Sequence, residues 1–144
     1  MQARRITDEL SVSPQISVAD VVEIVAAGFR SIVCNRPDGE AGDQVAYGEI
    51  EAAAKAAGLE IVWQPIVTGR LSDVNGARFG EIVAGLPKPV FAYCRSGTRC
   101  TMLWSLSQAK ERSSDEIVAN AAQAGYDMAG LVPRLDAIKT TAGE

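Results

Sequence analysis

The stretch from Pro89 to Thr101 restricts the fold of this chain more than any other. Val90-Phe91-Ala92-Tyr93-Cys94 is an apolar run of strand length, Arg95 to Arg99 form a tight loop around Gly97, and Cys100 onward begins a helix. A strand that ends in a cysteine, turns through a glycine and enters a helix makes an anion cradle with a nucleophile at its base. Loop and first-turn N–H groups converge there, and the helix dipole adds partial positive charge. Such a setting favours thiolate over thiol and takes a cysteine pKa from about 8.5 into the range of roughly 3.5–7.5. Arg99 stands near the positive end of the same dipole, where a cation is disfavoured unless an anion is held beside it. Gly97 admits positive φ and lets the amides converge, and Ser96 and Thr98 add hydroxyl donors.

The flanking sequence alternates strand and helix signals. Ile6 to Ser13 holds two short strand signals stopped by Pro14. Ser17 with Asp20 predicts a capped helix carrying Val18, Val21, Val22, Val25 and Ala26 and closed by Gly28. Ile32-Val33-Cys34 reads as a buried strand that breaks at the turn Asn35-Arg36-Pro37-Asp38-Gly39-Glu40. A helix is expected from about Gln44 to Ala57, a strand over Leu59 to Gln64, and a helix capped by Ser72 and weakened by Gly76 and Gly80. After the cysteine loop come a largely buried helix with Leu103, Trp104 and Leu106, a capping box at Ser113-Ser114-Asp115-Glu116, and a short final helix begun by Pro133. This order predicts an α/β fold, a mostly parallel four- to five-stranded sheet flanked by helices. Ligands of such sheets bind where strand C-terminal ends meet helix N-termini, and Cys94 lies at such an end.

Composition narrows the chemistry. The chain of 144 residues is expected to be one domain over 1–144, and its net charge of −4 leaves no basic surplus for nucleic acid or an anionic membrane. No apolar run approaches the roughly 20 residues of a membrane span, and Met1-Gln2-Ala3-Arg4-Arg5 opens no signal core, so a cytoplasmic location is expected. Three cysteines, Cys34, Cys94 and Cys100, show no framework spacing and read as reduced thiols. Histidine is absent. Imidazole acid–base chemistry and His-containing metal sites are thereby excluded, and neither metal nor cofactor is expected. Any Cys94 thiolate must be produced by amides, dipole and arginine.

Cys94-Arg95-Ser96-Gly97-Thr98-Arg99 is a C-x4-R spacing. It resembles the loop of rhodanese-type sulfurtransferases, whose cysteine carries a persulfide. Protein tyrosine and dual-specificity phosphatases use a related loop, His-Cys-x5-Arg, from which this chain departs: Tyr93 replaces the histidine and Cys100 stands where that arginine would be. Leu10-Ser11-Val12-Ser13-Pro14-Gln15, Gly28-Phe29-Arg30-Ser31, the Asn35–Glu40 turn and the Cys94–Arg99 loop together resemble the beta-lactamase-hydrolase-like, phosphatase-like domain family over roughly Ile6 to Gly130. That resemblance implies a dual-specificity/tyrosine-phosphatase-like fold. It also implies a link to sulfide detoxification, because some relatives are fused to a persulfide dioxygenase-like domain, which is not expected within these 144 residues.

The resemblance implies two chemistries. A phosphatase needs an acid upstream of the cysteine, but Trp63-Gln64-Pro65-Ile66-Val67 supplies no carboxylate. Asp73 is the nearest candidate, and as a first-turn helix residue it has an ordinary role without catalysis. Sulfane-sulfur transfer requires no acid. The leading expectation is therefore a sulfurtransferase with Cys94 as nucleophile and persulfide carrier, Arg99 and Arg95 with the Ser96-Gly97-Thr98 loop holding a small sulfur anion or persulfide, and a persulfide dioxygenase-like protein as partner. The alternatives are a phosphohydrolase on the same loop and a non-catalytic anion- or protein-binding relic. Cys100 reads either as packing or as a partner for a Cys94 persulfide or disulfide. Arg36 and Asp38 are accessory candidates at the site mouth, with a surface turn as their plain reading. Gly69 and Arg70 are candidates for the opposite wall. Cys34, Tyr47, Trp63 and Trp104 read as core or rim.

Overall fold

A computed structural model describes residues 1–142, so the last two positions of the expected 1–144 domain lie outside the described residues. In chain order the elements are β1 (Arg4–Arg5), β2 (Leu10–Ser13), α1 (Val18–Ala26), β3 (Ser31–Cys34), α2 (Tyr47–Ala56), β4 (Glu60–Trp63), α3 (Asp73–Gly85), β5 (Val90–Tyr93), α4 (Thr98–Ser107), α5 (Ser114–Gln123) and α6 (Val132–Ala142). A 3₁₀ turn, Ala129–Leu131, leads into α6. The five strands lie in the order β1-β2-β5-β3-β4. The β1–β2 pair is antiparallel; β2–β5, β5–β3 and β3–β4 are parallel. The mostly parallel sheet expected from the element order is present.

Strand alternation decides where Cys94 goes. On β5, Phe91 and Tyr93 face the layer of α1 and α2, where they pack with Val21, Ile24, Tyr47 and Ile50. Val90 and Ala92 face the other layer with Phe79, Leu103, Trp104, Ile117 and Leu135. Side chains alternate with period two, so Cys94 falls in this second layer, against α4. Each fully buried Ile, Leu or Phe here contributes about 1.5–3 kcal/mol of transfer free energy. Those contacts fix the strand end to within the tolerance of a packed core.

Several sequence expectations shift. In α1 only Val21 and Ile24 are buried, whereas Val18, Val22 and Val25 are 44%, 72% and 39% exposed, because nine residues can turn only one stripe to the sheet. The Ser17–Asp20 capping box forms as expected. Helix α2 begins at Tyr47 rather than Gln44: the Gln44 side chain instead donates to the Pro37 carbonyl at 2.8 Å and accepts from the Glu40 amide at 3.0 Å. Helix α4 starts at Thr98, two residues before Cys100, since Gly97 at φ 93° supplies the left-handed cap. At α5, Ser113 accepts from the Glu116 amide without the reciprocal bond, so half of the capping box is made. Pro133 is the second residue of α6, after Val132.

Gly76 and Gly80, which weaken α3 in isolation, let it approach α4. A Cβ on Gly76 would lie 2.5 Å from the Leu106 Cβ, and one on Gly80 3.1 Å from the Ser107 Cβ. Their cost in helix propensity is offset by closer packing of the helix that carries the cysteine loop.

Candidate active site

Strand β5 delivers Cys94 at its C-terminal end, fully buried. The Cys94 amide donates to the Ser13 carbonyl at 3.3 Å, so the base of the loop is still stitched to β2. The chain then turns through exposed Arg95 and Ser96, passes buried Gly97 and enters α4. The Gly97 amide donates to the Cys94 sulfur at 3.1 Å. The adjacent Cys100 side chain, then the amides of Cys100, Gly97 and Ser96 around the loop, hold the Cys94 pKa down to about 5 against the opposing effect of burial. Cys94 is therefore a buried thiolate at neutral pH. Cys100, wholly enclosed, is pushed well above the usual thiol range by burial and then by the nearby Cys94. It remains a thiol, packed in the same buried cluster as Cys94. Burial likewise raises Cys34 to about 11, which leaves it an inert core thiol that donates to the Arg36 carbonyl at 3.4 Å.

Arg99 lies in the first turn of α4, 8% exposed. Its Nη1 donates to Glu40 Oε2 at 2.7 Å and to the Ile66 carbonyl at 2.9 Å, and Nη2 donates to Glu40 Oε1 at 2.8 Å. The same Oε1 accepts from Nε of the buried Arg36 at 3.0 Å. Arg99 and then Arg36 hold the Glu40 carboxyl down to about 2. A guanidinium has five N–H donors, and this arrangement occupies three of Arg99's. Glu40 chiefly raises the Arg99 pKa, and the charge of nearby Cys94 adds to it against the opposing effect of burial.

Arg36 also donates to Gln15 Oε1 at 3.0 Å, and the Gln15 amide donates to the Arg95 carbonyl at 3.3 Å. The Asn35–Glu40 turn thus braces the cysteine loop from one side. Asp38 does not join it. Its Oδ1 accepts from the Tyr47 amide at 2.8 Å and caps α2, whose N-cap residue Ala46 has no side chain able to do so. Asp73 stands elsewhere too, with Oδ1 2.7 Å from Nη2 of Arg134 in an exposed pair between the starts of α3 and α6. Among the described residues it makes no hydrogen bond to the cysteine loop.

The loop hydroxyls are turned on each other: Ser96 Oγ donates to Thr98 Oγ1 at 3.0 Å and accepts from the Thr98 amide at 3.3 Å. The Ile66 carbonyl receives Arg99 from the opposite side, and among the described residues neither Gly69 nor Arg70 hydrogen-bonds the cysteine loop. Tyr47 and Trp63 stack at 4.6 Å beside the Arg36 carbonyl, which accepts from Trp63 Nε1 at 3.0 Å. Trp104 is core, with Arg112 over its ring.

Two site residues escaped the sequence reading. Glu40 stood only as the end of a turn, although its place four residues after Arg36 on the edge that carries Cys94 was the available signal. Tyr126, 6% exposed, donates its hydroxyl to the Ser96 carbonyl at 2.8 Å. It follows Gly125 at the end of α5, and no local pattern announces its reach to the loop.

The arrangement is a low-pKa cysteine beside an oriented guanidinium, which suits attack on an atom bearing anionic oxygen or sulfur. The family profile described as "Beta-lactamase hydrolase-like protein, phosphatase-like domain" matches residues 2–111. A beta-lactamase hydrolase-like protein of Agrobacterium fabrum C58 is 35% identical over 109 residues, covering 76% of this chain and 25% of that protein. The chain spans only 25–31% of the length of the curated relatives it matches. The crystal structure of nma1982 from Neisseria meningitidis Z2491 is similar at a TM-score of 0.85 and 32% identity, covering 95% of this chain and 98% of that one. TpbA of P. aeruginosa shares the fold alone, at a TM-score of 0.71 and 12% identity over 100% of this chain and 92% of that one; a cysteine-to-serine variant of TpbA has been solved in complex with pTyr.

Proposed function

The chain belongs to the phosphatase-like domain family of beta-lactamase hydrolase-like proteins, and we propose that Cys94 takes up sulfane sulfur from a small anionic donor. The observation that supports this reading is the state of the nearby carboxylates. Glu40 is held ionised by two arginines, Asp38 caps a helix and Asp73 is paired with Arg134. None of the three stands ready to protonate a departing alkoxide. Sulfur transfer asks for no such acid, because its leaving group is already a stable anion.

In the proposed step the Cys94 thiolate attacks the outer sulfur of thiosulfate or an alkyl persulfide. A new S–S bond forms at Cys94, the donor's own S–S bond breaks, and its electron pair leaves on sulfite or a thiolate. Arg99 and the loop amides hold the donor's charge during attack. An acceptor thiolate then takes the outer sulfur and restores Cys94. A persulfide dioxygenase-like partner, a role in sulfide detoxification and a cytoplasmic setting belong to the same proposal.

Hydrolysis of phosphate monoesters is the second reading, and the likeness to phosphatase folds favours it more directly than sulfur transfer. Here Cys94 attacks phosphorus and water later cleaves the phosphocysteine. Without an acid, that reaction is restricted to leaving groups such as aryloxides that depart as stable anions. Parallel assays of thiosulfate, an alkyl persulfide and an aryl phosphate on wild type and Cys94→Ser separate the two. Sulfur transfer predicts turnover of a sulfane donor and a gain of one sulfur atom on the Cys94 peptide. Turnover of the aryl phosphate alone would replace it by the phosphatase reading. Anion binding without any turnover leaves the non-catalytic relic.

A further inference from the structure

We propose that Tyr126 is a positioning residue for Cys94: its hydroxyl fixes the Ser96–Gly97 peptide in the orientation that aims the Gly97 N–H at the Cys94 sulfur. The Ser96 carbonyl and the Gly97 N–H belong to one planar trans peptide and point in opposite directions. Tyr126 holds the carbonyl end at 2.8 Å, and the N–H end reaches the Cys94 sulfur at 3.1 Å. With the carbonyl pinned on one side, the N–H has only one direction left.

The proton that makes this bond is itself committed. Arg4 Nη1 donates to the Tyr126 oxygen at 3.1 Å, and the Arg4 guanidinium lies 5.3 Å from the ring centre. With Arg4 donating to that oxygen, the single phenolic hydrogen goes to Ser96. Charge from Arg4 on β1 polarises the O–H, which polarises the peptide, which strengthens the N–H···S bond. The peptide needs an external hold, because Gly97 sits at φ 93°, from which a flip is sterically open to glycine. A flipped peptide would turn its carbonyl toward the thiolate and exchange a donor for a repelling acceptor.

The other titratable groups beside Cys94 are Arg99 and Cys100 on α4, whereas Cys34 on β3 lies in the layer on the opposite face of the sheet. Tyr126→Phe leaves all of these in place and removes one oxygen. The inference rests on Cys94 being the reactive thiolate and is independent of which group it transfers.

The test is the pH dependence of Cys94 alkylation by iodoacetamide, followed on the Cys94 peptide by mass spectrometry. In Tyr126→Phe the midpoint moves up by about one pH unit, the effect of losing one oriented donor to a buried anion. Arg4→Met moves it in the same direction by less, and serves in place of Tyr126→Phe should that variant not fold. A purely structural Tyr126 would lower the melting temperature and leave both midpoints at the wild-type value, which overturns the proposal. A wild type alkylated only above about pH 8 would instead overturn Cys94 as a low-pKa thiolate, a failure distinct from that of Tyr126.

Discussion

Glu40 grips Arg99 with both oxygens, Oε2 at 2.7 Å from Nη1 and Oε1 at 2.8 Å from Nη2, across 59 residues of sequence. The pair and the Ile66 carbonyl occupy three of the five guanidinium N–H donors and leave two for an anion. Arg36 on the same carboxylate makes a triad in which one negative charge organises two buried cations.

Glu40→Gln removes a negative charge beside an anion site, and by Coulomb's law alone it should tighten anion binding. Orientation of Arg99 predicts the reverse. Protection of Cys94 from iodoacetamide by inorganic sulfate should weaken about tenfold, since each charge-assisted bond to an oriented arginine contributes roughly 1.5–3 kcal/mol. Stability should fall by about 3 kcal/mol, because two buried cations lose their shared partner. Sulfate protection equal to or stronger than wild type would show that Glu40 sets charge and not position.

Cys94 links the site to the stability of the fold. Its folded pKa of about 5 lies below the ordinary thiol value of 9.0, so its contribution is fully present above pH 9 and is lost as pH falls through 5. Cys34 and Cys100 are raised instead, and act above that window. Urea midpoints of wild type should therefore rise between pH 5 and 8 relative to those of Cys94→Ser. Parallel pH profiles for the two proteins would mean that Cys94 is not a stabilised thiolate.

Asp73→Asn tests the phosphatase reading at its weakest point. The carboxylate is half exposed and pairs with Arg134. Loss of an exposed pair costs about 0–1 kcal/mol, and the rate of any Cys94-dependent turnover should stay within about twofold of wild type. A loss of about a hundredfold in aryl phosphate hydrolysis, as expected for a general acid, would return Asp73 to the site.

The parts of this molecule readable from sequence were those governed by local rules. The apolar run ending in Cys94, the glycine turn and the helix after it set the cysteine at the C-terminal end of a buried strand by local rules alone. The Ser17 and Ser72 caps were equally local. What remained hidden depends on packing between distant segments. Glu40 acquires its role only when β3 and β5 lie side by side, with Cys34 level with Tyr93, so that the turn after one strand overhangs the loop after the other. Asp38 and Asp73 stood as accessory candidates beside their plain readings as turn and first-turn residues, because spacing cannot show that one caps α2 and the other meets Arg134. Gly76 and Gly80 argued against a helix by propensity, yet the approach of α4 requires them.

Gly97 carries two constraints that a double-mutant cycle can separate. Its φ of 93° disfavours any L residue, and an added Cβ would collide with the Tyr126 oxygen. The first constraint costs Gly97→Ala about 1–2 kcal/mol whatever surrounds it. The second forces Tyr126 away and adds about 1–3 kcal/mol of overpacking strain. In the Tyr126→Phe background the contact is partly relieved, because the oxygen is gone while the ring carbon at 2.8 Å remains. The alanine substitution should then cost less by about 1 kcal/mol, a non-additivity that contacting residues show and distant ones do not. Equal costs in the two backgrounds, measured by urea unfolding, would mean that the Tyr126 hydroxyl does not press on the loop.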